Sequence, residues 1–237
     1  MKLSGRKALV TGGSRGIGAA IAMRLRADGA EVMVTATGRR GEIPEGCTLR
    51  VVDFIDHEAS ERFFSEVVGL GIDILVNNAG INKIGPFADL DPADFDRIHR
   101  VNTRAPFRLC QAVLPGMRQR GWGRIVTISS IFGVISREFR APYSASKFAV
   151  DGMTAALAAE VAQYGILANC VAPGFIDTDL TRGILGEQGM AELAKRIPAQ
   201  RFGQVGEVAE IVAWLCGPEN TYVSGQNWVI DGGFVRV

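Results

Sequence analysis

Tyr143 and Lys147 stand four residues apart in Tyr143-Ser144-Ala145-Ser146-Lys147, a stretch with helical periodicity. Positions i and i+4 share one helix face. An ammonium beside a phenol stabilises the phenolate and lowers its pKa. A group with an ordinary value of about 10 then becomes a usable general acid or base near neutrality. The chain has three tyrosines, so a chance pair at this spacing is uncommon; the plain alternative is an exposed pair with no role. Upstream, Ser129-Ser130 ends an apolar, β-branched run. A Ser130 hydroxyl at a strand end can hydrogen-bond a substrate oxygen, or simply satisfy local backbone.

A second set of residues suits a phosphate. The apolar run 8–10 passes directly into Thr11-Gly12-Gly13-Ser14-Arg15-Gly16-Ile17-Gly18. Gly12 lets the chain reverse, Gly16 lets backbone N–H groups approach a pyrophosphate, and Gly18 lets the next helix pack close. The helix N-terminus faces the negative charge. A glycine-rich turn that binds nothing is the competing reading. Asn77-Asn78-Ala79-Gly80 follows the fourth apolar run, and small and amide residues there leave room for a ligand along the carboxyl edge of a sheet. The second run ends in Ala36-Thr37, where an acidic residue would bond the ribose hydroxyls of an unphosphorylated cofactor. With no carboxylate there to repel a 2′-phosphate, and with Arg15, Arg39 and Arg40 close by, NADP(H) is expected over NAD(H). Arg suits phosphate because its planar fork bonds two oxygens at once. Arg15 is the leading contact; Glu42 and Glu45 could instead neutralise the arginines that follow the strand.

Such residues need a scaffold that brings several strand ends to one edge. Short apolar runs at 8–10, 32–36, 49–52, 74–76, 125–128, 167–171 and 228–230 alternate with helical patterns at 16–27, 57–68, 92–118, 142–163 and 207–215. Strand and helix in alternation predict a single α/β domain over 1–237, a Rossmann-type doubly wound parallel sheet in three layers. Asp91-Pro92 predicts an N-cap followed by proline in the first turn, and Gly165 a left-handed helix end. The segment 175–200 is rich in glycine and charge and only weakly periodic, as suits a substrate lid.

Composition excludes other classes. Lys and Arg total 26 against 25 Asp and Glu, a net charge of +1, so there is no cationic excess for nucleic acid. At 47% hydrophobic and 22% charged the chain is not disordered. No run approaches the roughly 18 apolar residues of a membrane span. The opening segment is too short and polar for a secretory signal, and Cys47, Cys110, Cys170 and Cys216 show no paired spacing; a cytoplasmic protein without disulfides is expected. With two histidines, His57 and His99, no metal centre is expected.

Together TGGSRGIG, NNAG, Ser130, YSASK and Pro173-Gly174, followed by Val223-Ser224-Gly225-Gln226 and Asp231-Gly232-Gly233, resemble the short-chain dehydrogenase/reductase family along the whole chain. The sequence is most similar to the β-ketoacyl-acyl-carrier-protein reductases and their carbonyl-reductase relatives. The resemblance implies a tetrad in which Tyr143 exchanges a proton with the substrate oxygen and Lys147 binds the nicotinamide ribose. Ser130 would polarise the carbonyl and Asn102 support a water relay. It also implies Asp53 and Phe54 at the adenine, Thr37 near the ribose, and Ile176 and Thr178 at the carboxamide and pyrophosphate. Helices 92–118 and 142–163 would meet a second subunit in a homodimer or homotetramer.

The sequence departs from that pattern in two places. The stretch 38–48 carries Gly38, Gly41, Pro44 and Gly46, which forbid the helix many relatives have there. The arginines with which carrier reductases meet an acidic acyl carrier protein fall on Gly121 and Tyr164, with Arg120 adjacent. The loop 136–140 (Ser-Arg-Glu-Phe-Arg) could face an acidic carrier, an anionic substrate or water. The expected function is NADP(H)-dependent reduction of a ketone, with a 3-oxoacyl thioester as one substrate class. The alternative is a sugar, polyol or secondary-alcohol dehydrogenase. Ile81, Asn82, Lys83, Ile131, Phe132, Phe139 and Phe175 are the candidate pocket wall, and their apolar majority favours an acyl or aryl group. A non-catalytic dinucleotide sensor would be expected to lack Tyr143, Lys147 or Ser130, and all three are present.

Overall fold

The computed structural model describes residues 1–38 and 43–236. In chain order the first half runs β1 (Lys7–Val10), α1 (Gly16–Ala27), β2 (Glu31–Ala36), β3 (Thr48–Val51), α2 (His57–Val68), β4 (Ile74–Asn77) and α3 (Pro92–His99). Then follow α4 (Ala105–Arg120), β5 (Gly123–Ile128), α5 (Ala141–Val161), β6 (Ile166–Pro173), β7 (Ile176–Asp177), α6 (Asp179–Ala194), β8 (Gly203–Gln204), α7 (Val205–Cys216) and β9 (Asn227–Ile230). Seven strands form one parallel sheet in the order β3-β2-β1-β4-β5-β6-β9. The order reverses between β1 and β4, the switch point at which open α/β sheets bind ligands.

The three layers follow from the apolar pattern. Every residue of β4, β5 and β6 is buried, because helices cover both faces. On one face Ile21 and Leu25 of α1 pack with Val208 and Val212 of α7. On the other, Phe63, Phe64 and Val67 of α2 pack with Leu109 and Val113 of α4. Asp91 accepts a hydrogen bond from the Ala93 N–H at 2.9 Å as the N-cap of α3, and Gly165 turns left-handed at φ +71 after α5.

The continuous helix expected over 92–118 is broken. A π-helical turn, Arg100–Arg104, separates α3 from α4. Two causes act there. Pro106 in the first turn of α4 lacks an N–H to give back. Asn102, within the wide turn, exchanges hydrogen bonds with the Ile81 backbone, accepting at 2.9 Å and donating at 2.9 Å. Such π-turns commonly mark functional sites.

The segment after β6 is more regular than its sequence suggests. Thr178 caps α6 by accepting from the Thr181 N–H at 3.1 Å, and Gly186 kinks the helix at φ +64. No α6 residue is buried, which is why apolar periodicity did not reveal it. In the short 38–48 stretch the described residues, 38 and 43–48, hold no helix.

Candidate active site

The turn after β1 is braced by Thr11, a residue motif reading passes over. Thr11 Oγ1 accepts from the Asn78 and Ala79 backbone N–H groups at 2.9 and 3.0 Å. The Asn78 side-chain amide donates back to the Thr11 and Gly12 carbonyls at 2.9 and 3.1 Å, and the Gly12 N–H donates to Thr35 Oγ1 at 3.1 Å. The glycine turn, the NNAG segment and β2 are therefore one unit at the switch point. Its signal was a lone polar residue straight after an apolar strand.

The cradle is crowded where glycine is required and open where N–H groups must meet charge. Gly12 and Gly16 adopt φ +63 and +55, a left-handed backbone that glycine enters freely. A Cβ on Gly18 would strike the Gly12 carbonyl and the Asn78 amide. Arg15 caps α1 in an extended conformation and makes no capping hydrogen bond, leaving first-turn N–H groups open to an anion. Ser14 and Ile17 flank it, and across the cleft Thr178 faces Gly16 at 3.8 Å from a Cβ placed there. This arrangement fits the diphosphate of a dinucleotide. Gly18→Ala is expected to abolish measurable NADP⁺ binding in a calorimetric titration and to lower unfolding free energy by about 1–3 kcal/mol in urea. Retention of wild-type affinity would refute the close approach.

At the adenosine end, Thr37 is exposed after β2, and Arg39, Arg40 and Glu42 lie outside the described residues. Asp53 accepts from the Ile55 N–H at 2.9 Å. The Phe54 ring is not available to an adenine: it is buried beside Phe63 and Phe64, with centroids 6.2 and 6.1 Å away, so only its backbone can serve there. At the other end, the Gly174 N–H donates to Ile230 O at 2.8 Å just after Pro173. Ile176 is buried and the Thr178 hydroxyl caps α6. Sequence pattern gives none of these internal commitments.

The end of β5 and the first turns of α5 bring Ser130, Tyr143 and Lys147 to the same edge. The Ser130 hydroxyl accepts from the Phe132 N–H at 3.2 Å. Lys147 is buried, and its ammonium donates to Ile128 O at 2.7 Å. A Cβ on Gly80 would lie 3.5 Å from Asn102 Oδ1 and 3.7 Å from Lys147 Nζ, so NNAG, the π-turn and α5 converge. Both Asn102 side-chain hydrogens are committed, to Ile81 O and to Ser146 Oγ at 3.0 Å. Its amide thus ties β4's loop to α5, with both N–H groups spent on the protein.

The electrostatics differ from the simple Lys–Tyr pair. Burial pushes the Tyr143 phenol above its ordinary value, while Ser130 and the charge of Arg140 pull it back. The Lys147 ammonium sits 5.6 Å from the ring centroid and turns toward the β5 carbonyl instead. Burial lowers Lys147 itself to about 8. Of the charged loop 136–140, for which the sequence leaves an acidic carrier, an anionic substrate or water open, Arg140 is the residue whose charge reaches the phenol.

Of the expected wall residues, Phe132 and Phe175 join an aromatic cluster. Phe175 meets Phe132, Phe202 and Phe234 edge-on at 6.4, 6.1 and 5.0 Å. Ile131 is fully buried, and Lys83 turns to Asp94 at 3.9 Å. Gly121 and Tyr164 lie at the opposite end of the sheet from Ser130, a β5 length of about 20 Å away. Arg120 does not replace the missing arginines, because it donates to Asp73 at 2.9 Å and to Ile72 O at 2.7 Å.

A parallel sheet with a diphosphate cradle at its switch point, and a Ser–Tyr–Lys cluster on the same edge, defines a dinucleotide-dependent oxidoreductase acting on a CH–OH group. A family model described as enoyl-(acyl carrier protein) reductase matches residues 12–235. The 3-oxoacyl-[acyl-carrier-protein] reductase FabG of Vibrio cholerae is 39% identical over 246 residues, covering 100% of both chains. The chain belongs to the short-chain dehydrogenase/reductase family. A gluconate 5-dehydrogenase from Burkholderia cenocepacia, solved with NADP and tartrate, is 34% identical with a TM-score of 0.90, covering 100% of this chain and 97% of that one. A blue fluorescent protein from a metagenomic library, solved with NADPH, is 38% identical with a TM-score of 0.89, covering 99% of each. No helix among the described residues is long and apolar enough to cross a membrane.

Proposed function

We propose that this enzyme reduces a ketone to a secondary alcohol with NADP(H), with 3-oxoacyl thioesters as the first substrate class to test. The observation that carries the reading is the meeting of Ser130, Tyr143 and Lys147 beside the Gly12–Gly18 cradle. Ser130 donates to the carbonyl oxygen and Tyr143 delivers the proton to it. Lys147 holds the ribose, and its charge favours the phenolate left once the proton has been given; Asn102 positions the β4 loop and α5. When bound, the nicotinamide supplies the hydride. Gly12, Ser14, Arg15, Gly16, Ile17 and Gly18 hold the diphosphate, with Asn78, Ala79 and Gly80 lining the ribose side. Thr37, Asp53 and Phe54 serve the adenosine, and Pro173, Gly174, Ile176 and Thr178 the nicotinamide end. α6 and its flanks, 175–200, act as the lid.

Two relatives support different substrates. The Vibrio cholerae relative is named for 3-oxoacyl-[acyl-carrier-protein], which favours the thioester and makes an acyl carrier protein a candidate partner. The Burkholderia cenocepacia structure is named for gluconate, which favours the alternative, a sugar-acid or polyol dehydrogenase. A panel of acetoacetyl-CoA, simple ketones and 5-ketogluconate, each with NADPH, separates them; no turnover of any ketone would sink the reductase reading.

NADP(H) preference is expected to rest on Arg15, exposed at the α1 N-terminus, and on the absence of a carboxylate at Ala36-Thr37. Arg15→Ala should lower kcat/KM for NADPH by about tenfold or more and leave that for NADH near its starting value. A higher kcat/KM with NADH in the wild type, or an unchanged ratio in the variant, would defeat the assignment.

We further propose a homodimer or homotetramer built on the α3–α5 face, where Phe95, Phe107 and Phe148 are 44%, 47% and 46% exposed. Light scattering on the purified chain tests it, and a monomer would reject it. The four cysteines are buried and free, which supports a cytoplasmic location.

A further inference from the structure

Arg140 is the N-cap residue of α5, on the turn that carries Tyr143. Its guanidinium carbon lies 5.3 Å from the centroid of Phe132, the residue whose N–H meets the Ser130 hydroxyl. The group thus lies against the residue that holds the Ser130 hydroxyl, and its charge bears on the Tyr143 phenol. It is half-buried. Among the described residues it forms no ion pair and no side-chain hydrogen bond. The neighbouring cation is matched: Arg137 pairs with Glu138 at 3.1 Å. Glu138, the loop's only acid, also feels Arg196 from beyond α6, so no carboxylate is left over for Arg140.

The backbone holds this placement at a cost. Phe139 is left-handed at φ +67, an unfavourable conformation for a bulky residue that tends to persist at functional sites. Its carbonyl accepts from the Gly85 N–H at 3.2 Å, which locks the turn from which Arg140 departs. A cation at a helix N-terminus is further disfavoured by the helix dipole. A guanidinium within cation–π range of an aromatic ring can leave its N–H fork free for a planar anion.

We propose that Arg140 binds a carboxylate on the substrate, so that the enzyme acts on oxo acids and their hydroxy-acid products in preference to neutral ketones. The proposal rests on the ketone-reductase reading of the same site and moves its substrate class from 3-oxoacyl thioesters, whose carboxyl is esterified, to free oxo acids. Short oxo acids, from 3-oxobutanoate to 5-oxohexanoate, would be assayed with NADPH beside their methyl esters, using the wild type, Arg140→Met and Arg140→Lys. The wild type should favour the acid. Arg140→Met should raise KM for the acid relative to its ester by about ten- to a hundredfold. Arg140→Lys should recover part of this, because it keeps the charge but not the fork. The ester is the reference for whatever the substitution does to Tyr143. An unchanged acid-to-ester ratio overturns the proposal. So does an equal loss on both substrates with a moved pH–rate limb, which would make Arg140 a positioning residue for Tyr143 alone. A loss confined to acyl-CoA thioesters also overturns it.

A binding readout separates this from failure of the reductase reading. Succinate should raise the melting temperature of the NADP⁺-saturated wild type and not that of Arg140→Met, whether or not any ketone is turned over. Equal protection of both proteins, or of neither, would count against the anchor.

Discussion

Replacing Tyr143 by Phe should lower turnover of any accepted ketone by about 10²–10⁴-fold. The substitution removes one hydroxyl and little volume, so packing beside the half-buried ring is retained. NADP⁺ affinity, read by fluorescence titration, should stay close to wild type, because the cradle at Gly12–Gly18 lies on other elements. The pH dependence carries the sharper test. Burial raises the phenol, and Ser130 and Arg140 pull it back. Ser130→Ala removes one of those lowering influences, so its basic limb should move to higher pH. Near wild-type turnover by Tyr143→Phe would remove the phenol from the mechanism.

Lys147→Met should separate activity from stability. Turnover should fall by about 10²-fold or more, and NADP⁺ affinity should weaken with it. Stability moves the other way at neutral pH. Burial holds Lys147 at about 8 against an ordinary 10.5. Between those values the unfolded chain binds more protons than the folded one, so stability from this group rises with pH across that window. Below about pH 8 the folded protein carries the whole penalty of the buried ammonium, about 3 kcal/mol. The methionine variant never carries it, although it loses the hydrogen bond to Ile128 O at every pH. Urea unfolding without added nucleotide should therefore show the wild type gaining about 3 kcal/mol on the variant between pH 7 and pH 10.5. A stability difference that does not change with pH would mean that the ammonium is solvated.

The parallel alternation of strands and helices was written in the amino-acid order, because strands buried on both faces must be apolar throughout and their helices must be amphipathic. α1 and α2 fall at 16–27 and 57–68, the bounds the periodicity predicts. Gly12, Gly16 and Gly18 were legible because positive φ and close approach leave few other residue types possible. The Tyr143–Lys147 spacing was legible because helical period is local. Tertiary structure decided the rest. The π-turn at Arg100–Arg104 arises from Asn102 bonding to Ile81 on another element. Thr11 became the brace because Asn78 and Ala79 arrive from β4. Phe54 turned into the core between two α2 rings, and Lys147 turned from the phenol to the end of β5. Helix α6 escaped notice because it buries nothing. For Arg140 the sequence left carrier, anionic substrate and water open, and only the packing against Phe132 places its charge beside Tyr143. Sequence specifies local period and forbidden backbone; which polar atoms meet across elements depends on the packed arrangement, where each buried donor must find its acceptor.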